Sequence, residues 1–312
     1  MTETLAAAVV QAGSILFDTP ATMEKFSDLL ADAARSGAKL AVFPEAFIGG
    51  YPKGNHFGAP VGSRSPEGRD LYRRYFESAI DVPGQETEVI AGLAKDHAID
   101  IVVGVIERAG ENEGGGTLYC TALCFSADGR LLGKRRKLMP TAAERVIWGM
   151  GDGSTLGVFG APSGRIAAVI CWENYMPLLR MAQYAQGVEL YCAPTVDDRE
   201  NWTAAMRTIA FEGRCFVLSA CQYLTRANAP ADFATIQGDD PETVLINGGS
   251  LIVSPLGEIL AGPLKGREDI LVAKIDKADI ARGKMDFDAA GHYARADVFE
   301  LRVDRAEKPA VR

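Results

Sequence analysis

The chain reads as an α/β protein of mixed sheets with helices outside them, and three features carry that reading. The first is a strand–helix–strand opening, the signature of that class. Residues 5–10 form an apolar run, and 22–35 place Met23, Phe26, Leu29, Leu30, Ala33 and Ala34 at helical spacing before the stop at Gly37. Residues 39–43 (KLAVF) then make a second strand. The second feature is that short apolar runs keep alternating with amphipathic segments as far as residue 283. The third is an internal echo: LCFSADGRLLG at 123–133 and LIVSPLGEILAG at 251–262 share strand, serine, turn glycine and strand.

The remaining elements follow in order. Residues 51–69, rich in Gly, Pro and Ser, make a long loop of the kind that forms lids or binding loops. Helices are expected at 71–79 and 87–97, a strand at 101–106, a Gly/Glu-rich turn at 107–116, its antiparallel partner at 118–125 and a strand at 130–133. A strand at 165–170 leads into Cys171. Beyond it come a helix at 177–186 closed by Gly187, a strand at 188–193, a helix at 202–214 and a strand at 215–220. Residues 226–242 are irregular. A hairpin at 250–253 and 258–261, a strand at 270–275 and a short helix at 277–283 complete the pattern. No break in composition divides the chain, so residues 1–283 read as one domain. Residues 284–312, charged and aperiodic, read as a tail that contacts a neighbour or is partly disordered.

The 312 residues carry a formal charge of −8, which argues against nucleic acid or an anionic membrane as the main partner. The one dense basic run, KRRK at 134–137, reads by default as a solvated face, with Lys137 the member turned toward the apolar Leu138-Met139. No apolar run approaches the ~20 residues that span a bilayer. Glu3 stands where a secretory leader would carry a basic residue, so the expected compartment is the cytoplasm. Six cysteines do not make a disulfide framework. Cys120, Cys124, Cys192, Cys215 and Cys221 read as small core residues. Without a C-x-x-C, and with only His56, His97 and His292, no metal is expected.

Cys171 is different, because it ends a buried strand in IAAVICWENYMP just before a helix. Free cysteine is among the most buried residue types, so it needs chemical partners to read as a nucleophile. A thiol with a pKa of ~8.5 needs a base or a positive surrounding to react at neutral pH. Glu45, at the end of KLAVF in FPEAFIGGYPKG, offers a carboxylate at a strand terminus, where partial burial would raise its pKa toward the working range. Lys137 offers a cation whose burial requires a partner such as Glu45, and which would stabilise negative charge on a substrate atom. Glu144, four residues beyond Pro140, is a second carboxylate, with a salt bridge to Arg145 as its ordinary alternative. A Cys–His hydrolase using His292 or His56 is a competing reading. So is a non-enzymatic binding protein, since fold does not fix function. Gly149-x-Gly151-x-Gly153 lacks the spacing of a dinucleotide loop.

Taken together, FPEAFIGGYPKG, KRRKLMPTAAERVIWGMGDGS and VICWENYMPLLR resemble the nitrilase superfamily of carbon–nitrogen hydrolases. The CWEN continuation and the KLMPT…ER…WG block resemble its true nitrilase branch. The resemblance implies a four-layer α-β-β-α sandwich of two mixed sheets with helices outside. It implies that Glu45 is the general base, Cys171 the nucleophile and Lys137 the stabiliser of charge, with the backbone N–H of Trp172 assisting. Glu144 would orient Lys137 or position substrate and water. The reaction implied is hydrolysis of an organic nitrile to the acid and ammonia through a thioimidate and a thioester, with some amide as by-product and no cofactor. An amidase or carbamoylase of the same superfamily is the alternative. Tyr51, Trp148 and Trp172 would line the substrate pocket, with Trp202 also near the motifs. The GGYP-K-G form resembles members acting on aromatic or arylaceto substrates. A homodimer or larger spiral homo-oligomer is implied as well, with the helix after Cys171 and the tail as contact surfaces.

Overall fold

A computed structural model describes residues 4–110 and 113–308. Its first half runs β1 (Thr4–Gln11), α1 (Thr19–Arg35), β2 (Ala38–Val42), α2 (Pro66–Ser78), α3 (Gln85–His97), β3 (Asp100–Arg108), β4 (Leu118–Phe125) and β5 (Leu131–Arg136). Next come β6 (Phe159–Ala161), β7 (Gly164–Ala168), α4 (Pro177–Tyr184), β8 (Leu190–Cys192), α5 (Glu200–Gly213), β9 (Phe216–Ser219) and β10 (Tyr223–Thr225). The last elements are β11 (Val244–Val253), β12 (Ile259–Lys265), β13 (Asp269–Asp276) and α6 (Ala278–Gly283). One sheet has the order β13-β1-β2-β3-β4-β5. The other is β10-β11-β9-β8-β7-β6, with β12 added beside β11. Each sheet holds a parallel core, β1-β2-β3 or β7-β8-β9, flanked by antiparallel strands.

Alternation along the strands builds the layers. In β1, Ala7 and Val9 face the second sheet, where Ile166, Ala168, Leu190, Cys192 and Leu218 meet them. Ala8 and Val10 face the opposite way, onto Phe26, Leu30 and Ala33 of α1 and Ile90 and Ala94 of α3. On the far side of the second sheet, Ala167, Val169, Tyr191 and Val217 pack under Leu179 of α4 and Trp202, Met206 and Ile209 of α5. A strand buried on both faces reads as a continuous apolar run, as β1, β2 and β3 do. The result is the expected four-layer α-β-β-α sandwich.

Polar clasps join the two sheets. The Gln11 carboxamide oxygen accepts the N–H groups of Gly249 and Ser250 at 2.9 and 3.0 Å. A Cβ at Gly248, whose φ is +77°, would fall 2.2 Å from the Gln11 amide nitrogen. Only glycine fits both the backbone and the space there. The internal echo is realised in hydrogen bonds. Ser126 N–H donates to the Arg130 carbonyl and Gly129 N–H to Ser126, while Ser254 and Gly257 repeat both bonds with Glu258 and Ser254.

Several boundaries differ from the expectation. The loop after Tyr51 ends at Ser65, whose hydroxyl accepts the Gly68 N–H and caps α2, and Pro66 begins that helix. The apolar-spacing signal is weak in this first turn, which is polar. Strand β3 extends into the turn proposed at 107–116, of which 111–112 lie outside the described residues. Strand β11 starts six residues before the expected 250, because its glycines interrupt the apolar pattern. Strands β6 and β10, three residues each, are too short to show a periodicity.

The basic run 134–137 is not a solvated face. Its first three residues end β5 and Lys137 follows, and alternation sends its members to two sets of carboxylate partners. Lys134 and Arg136 pair with Glu107 at 2.5 and 2.6 Å, Arg135 with Glu173 at 2.8 Å, and Lys137 with Glu45 and Glu144. In the tail, of which 309–312 lie outside the described residues, Asp286 accepts from Arg214 and the Lys308 N–H donates to Asp152.

Candidate active site

Three strand ends on neighbouring edges of the two sheets deliver the central side chains. Glu45 follows β2 in a loop that lies against Gly104 of β3, where an added Cβ would meet the Pro44 carbonyl oxygen at 2.3 Å and Glu45 Cα at 2.6 Å. Gly104 N–H donates to the Pro44 carbonyl, and Gln222 Nε2 donates to the Glu45 carbonyl at 2.8 Å, so backbone on both sides is fixed. Lys137 directly follows β5. Cys171 comes three residues after β7 and opens a 3-10 turn, Cys171–Tyr175.

Cys171 has φ +49°, a left-handed conformation unusual for a residue with a Cβ. Its N–H donates to the Pro194 carbonyl at 2.9 Å, and Asn174 Nδ2 donates to the Val169 and Cys171 carbonyls at 2.9 and 2.7 Å. The surrounding structure thus over-determines a backbone shape that the residue alone would avoid. Ala46 and Ala142, beside the two glutamates, also have positive φ, at 50° and 48°. Glu173 accepts the N–H groups of Ile170 and Leu138, at 3.2 and 2.6 Å, in addition to the Arg135 guanidinium. It ties the end of β5 to the Cys171 turn.

The side chains converge in one buried cluster. Lys137 Nζ donates to Glu45 Oε1 and to Glu144 Oε2, both at 2.7 Å, with Lys137 and Glu45 fully buried. Tyr51 donates its phenolic proton to Glu144 Oε1 at 2.7 Å, and the Thr141 N–H donates to Glu144 Oε2 at 2.6 Å. The salt bridge of Glu144 is therefore to Lys137 and not to Arg145. Cys120, read as core, is buried but also offers its thiol to Glu45 Oε1 at 3.5 Å. The second oxygen of Glu45 is buried with no protein partner.

Electrostatics follow from burial. Desolvation raises the Glu45 carboxyl above the ordinary glutamate range, the Lys137 charge opposing it and the Glu144 charge reinforcing it. Burial and then the Glu45 charge push the Cys171 thiol up, so it rests protonated. Burial would lower the Lys137 ammonium, but Glu45 holds it well above the ordinary lysine range. The resting cluster is a neutral thiol, a fixed cation, and a carboxylate made more basic by burial with one oxygen free.

Access is through a cavity of about 260 Å³ lined by Tyr51, Glu144, Cys171, Trp172, Asp197 and Arg199, among others. A larger recess of about 550 Å³ shares Tyr51, Lys53, Thr141 and Glu144 with it and is walled by Phe57, Ile147, Trp148 and Ile236. Tyr51 thus joins both spaces. Trp172 stands at the mouth, its indole N–H donating to Asp197 at 2.9 Å and its ring 4.8 Å from the Arg199 guanidinium. Trp148 is buried, donates to the Tyr75 hydroxyl at 3.1 Å and presents its ring to Lys137 at 5.5 Å. Trp202, on the buried face of α5, lies in the core bonded to Ser219 and does not line the cavity. His56 lines the larger recess, and no histidine lines the space at Cys171. Among the described residues no group of three His, Cys, Asp or Glu side chains gathers to hold a metal.

Two contributors are not legible in the sequence: the Thr195 hydroxyl, 3.3 Å from Cys171 Sγ, and Arg135, the partner through which Glu173, itself expected with Asn174 to scaffold the turn, braces it. Thr195 follows β8, the parallel neighbour of β7, and its place at the same end of adjacent parallel strands was the available signal.

The chain belongs to the carbon–nitrogen hydrolase family, which it matches over residues 6–285. Within that family it falls in the nitrilase branch. It is 58% identical over 308 residues to a nitrilase of Bradyrhizobium diazoefficiens, covering 99% of this chain and 94% of that one. It is 56% identical over 305 residues to an aliphatic nitrilase of Sinorhizobium fredii, covering 98% and 97%. A carbon–nitrogen hydrolase from Helicobacter pylori G27 shares the fold, with a TM-score of 0.72 at 20% identity over 95% of this chain and 97% of that one.

Proposed function

We propose that this enzyme hydrolyses an organic nitrile to the carboxylic acid and ammonia, with Cys171 as nucleophile. The observation that carries the reading is the convergence of Glu45, Lys137, Glu144 and the Cys171 cavity in one buried cluster. Glu45 takes the thiol proton as Sγ attacks the nitrile carbon. Negative charge develops on the nitrile nitrogen, where Lys137 and the Trp172 N–H stabilise it, and the thioimidate forms as the nitrogen takes a proton from Lys137, which Glu45 reprotonates to become a carboxylate again. Water adds with Glu45 as base, the C–N bond breaks as the nitrogen takes a proton, and ammonia leaves a thioester. A second water, deprotonated by Glu45, releases the acid. Glu144, itself held by Tyr51, keeps Lys137 in place.

The apolar recess beyond Tyr51 receives the carbon chain of the nitrile, with Trp148, Ile147, Phe57 and Ile236 as its walls. A panel of arylaceto, benzo- and aliphatic nitriles and the matching amides, with acid, amide and ammonia measured, tests the reading. Wild type is expected to turn over nitriles and Cys171→Ala to lose at least about 10³-fold. Turnover of amides alone would make this an amidase, and turnover surviving in Cys171→Ala would remove the mechanism.

The protein is further proposed to work as a cytoplasmic homo-oligomer. No helix among the described residues is long and apolar enough to cross a membrane. Leu178 of α4, Phe211 of α5 and Phe299 of the tail are 71%, 52% and 77% exposed, apolar side chains that contact with a second copy would cover. Sedimentation should give a dimer or larger species, and a monomer at micromolar concentration would contradict this.

A further inference from the structure

The sulfur of Cys171 has a neighbour that the Glu–Lys–Glu cluster does not include. Thr195 is fully buried, and its hydroxyl donates to Cys171 Sγ at 3.3 Å. A hydroxyl has one proton and two lone pairs. Here one lone pair accepts the Asp197 N–H at 2.9 Å, which leaves the proton directed at sulfur. The position is rigid. Thr195 N–H donates to the Ala220 carbonyl at 2.8 Å, and the preceding carbonyl, that of Pro194, accepts the Cys171 N–H. Asp197 is fixed in turn by the Trp172 indole and by the Arg199 guanidinium, whose Nε donates to it at 2.7 Å.

A donor aimed at sulfur discriminates among the states of the reaction. A thiolate is a strong acceptor, whereas a sulfur bonded to an acyl carbon is a weak one. The bond therefore strengthens whenever negative charge sits on sulfur. That happens twice: when the thiol is deprotonated for attack, and when a C–S bond breaks and returns its electron pair to sulfur. C–S breaks in the thioester hydrolysis of the acid route as well, and the branch point is whether it breaks earlier, before C–N. After water adds to the thioimidate, one carbon carries OH, NH₂ and the Cys171 sulfur. If C–N breaks, the nitrogen takes a proton and ammonia leaves the thioester. If C–S breaks, the hydroxyl proton passes to the Glu45 carboxylate as C=O forms. The amide then departs and the thiolate is regenerated, so that nitrile plus one water gives amide.

We propose that Thr195 is a further catalytic residue, a thiolate donor that both eases ionisation of Cys171 and sets the fraction of product released as amide. The proposal rests on nitrile hydrolysis at Cys171, and the experiment separates the two. Thr195→Val removes the hydroxyl at nearly constant shape, and Thr195→Ser restores it. The first readout needs no substrate: the pH dependence of Cys171 alkylation by iodoacetamide, followed by mass spectrometry of the Cys171 peptide. The second is the amide-to-acid ratio from a nitrile that wild type hydrolyses.

In Thr195→Val the alkylation midpoint should move up by about one pH unit and the amide fraction fall by about fivefold to tenfold, with both recovering in Thr195→Ser. An unchanged midpoint, or an amide fraction that stays constant or rises, overturns the proposal. If the valine variant does not fold, Thr195→Cys, a weaker donor of similar size, must move both readouts in the same direction. If wild type forms no measurable amide, the midpoint decides alone. Failure of wild type to release ammonia from any nitrile would overturn the hydrolase reading and leave the alkylation result to judge the donor itself.

Discussion

Arg135 and Lys137 stand two residues apart at the end of one strand, point to the same side and are each buried in an ion pair, yet their pairs serve different ends. Arg135 meets Glu173, both of whose oxygens are engaged, one by Arg135 and the Leu138 N–H and the other by the Ile170 N–H. Lys137 meets Glu45, whose second oxygen has no partner, in a cluster reached from a cavity. A buried pair with both acceptors satisfied can hold backbone in place. A buried carboxylate with one unsatisfied oxygen and the Cys171 thiol within reach can move a proton, because burial has raised its basicity. What sets the Lys137 pair apart is that free acceptor, for the unpartnered atom of the other pair, Arg135 Nε, is a donor that keeps its proton.

The sharpest way to break the comparison is to neutralise each carboxylate. Glu45→Gln keeps the shape but removes the base. kcat should fall by about 10²–10⁴-fold, with the urea midpoint close to wild type, as steady-state kinetics and equilibrium unfolding would show. Glu173→Ala should reverse the pattern. It strands a buried guanidinium and lowers unfolding free energy by about 3–5 kcal/mol, read from urea denaturation, with activity lost only as far as the Cys171 turn loosens. Equal loss of stability in both variants would erase the distinction.

Smaller effects sharpen it. The Glu45 carboxyl is held above the ordinary range, so the acid limb of kcat/KM should fall off at a higher pH than an ordinary glutamate would give. The sign is set by the need for the ionised base: lowering the pH through its raised pKa protonates it. Glu144→Gln removes an anion that raises Glu45, so the limb measured on its residual activity should shift to lower pH. A shift upward would show that Glu144 does not act on Glu45 electrostatically. Tyr51→Phe deletes one hydrogen bond to Glu144, which keeps Lys137 and the Thr141 N–H. It should cost about 1 kcal/mol, roughly fivefold in kcat/KM.

Much of the site is legible in residue order because its members sit at strand ends. KLAVF ends near Glu45 and the apolar run 166–170 ends at Cys171, and periodicity marks both. Lys137 was separable from its neighbours by the apolar Leu138-Met139 that follows. The fate of the other three basic residues was not, since their partners Glu107 and Glu173 are 27 to 38 residues away along the chain and are brought near by sheet pairing.

The amino-acid order alone determined the alternation of strands and helices, the turns at Gly129 and Gly257, and the choice of Glu45, Lys137 and Cys171 as candidates for the acid, the cation and the thiol, because local periodicity and residue chemistry travel with the chain. Only the tertiary structure decided that Arg135 meets a glutamate with both oxygens engaged while Lys137 meets one with an oxygen unpartnered, that Glu144 turns to Lys137 and Tyr51 and not to Arg145, and that Thr195 faces the sulfur. Each of these depends on which strand lies beside which, and on how much water the packing leaves around a charge. Neither is written in any one stretch of sequence.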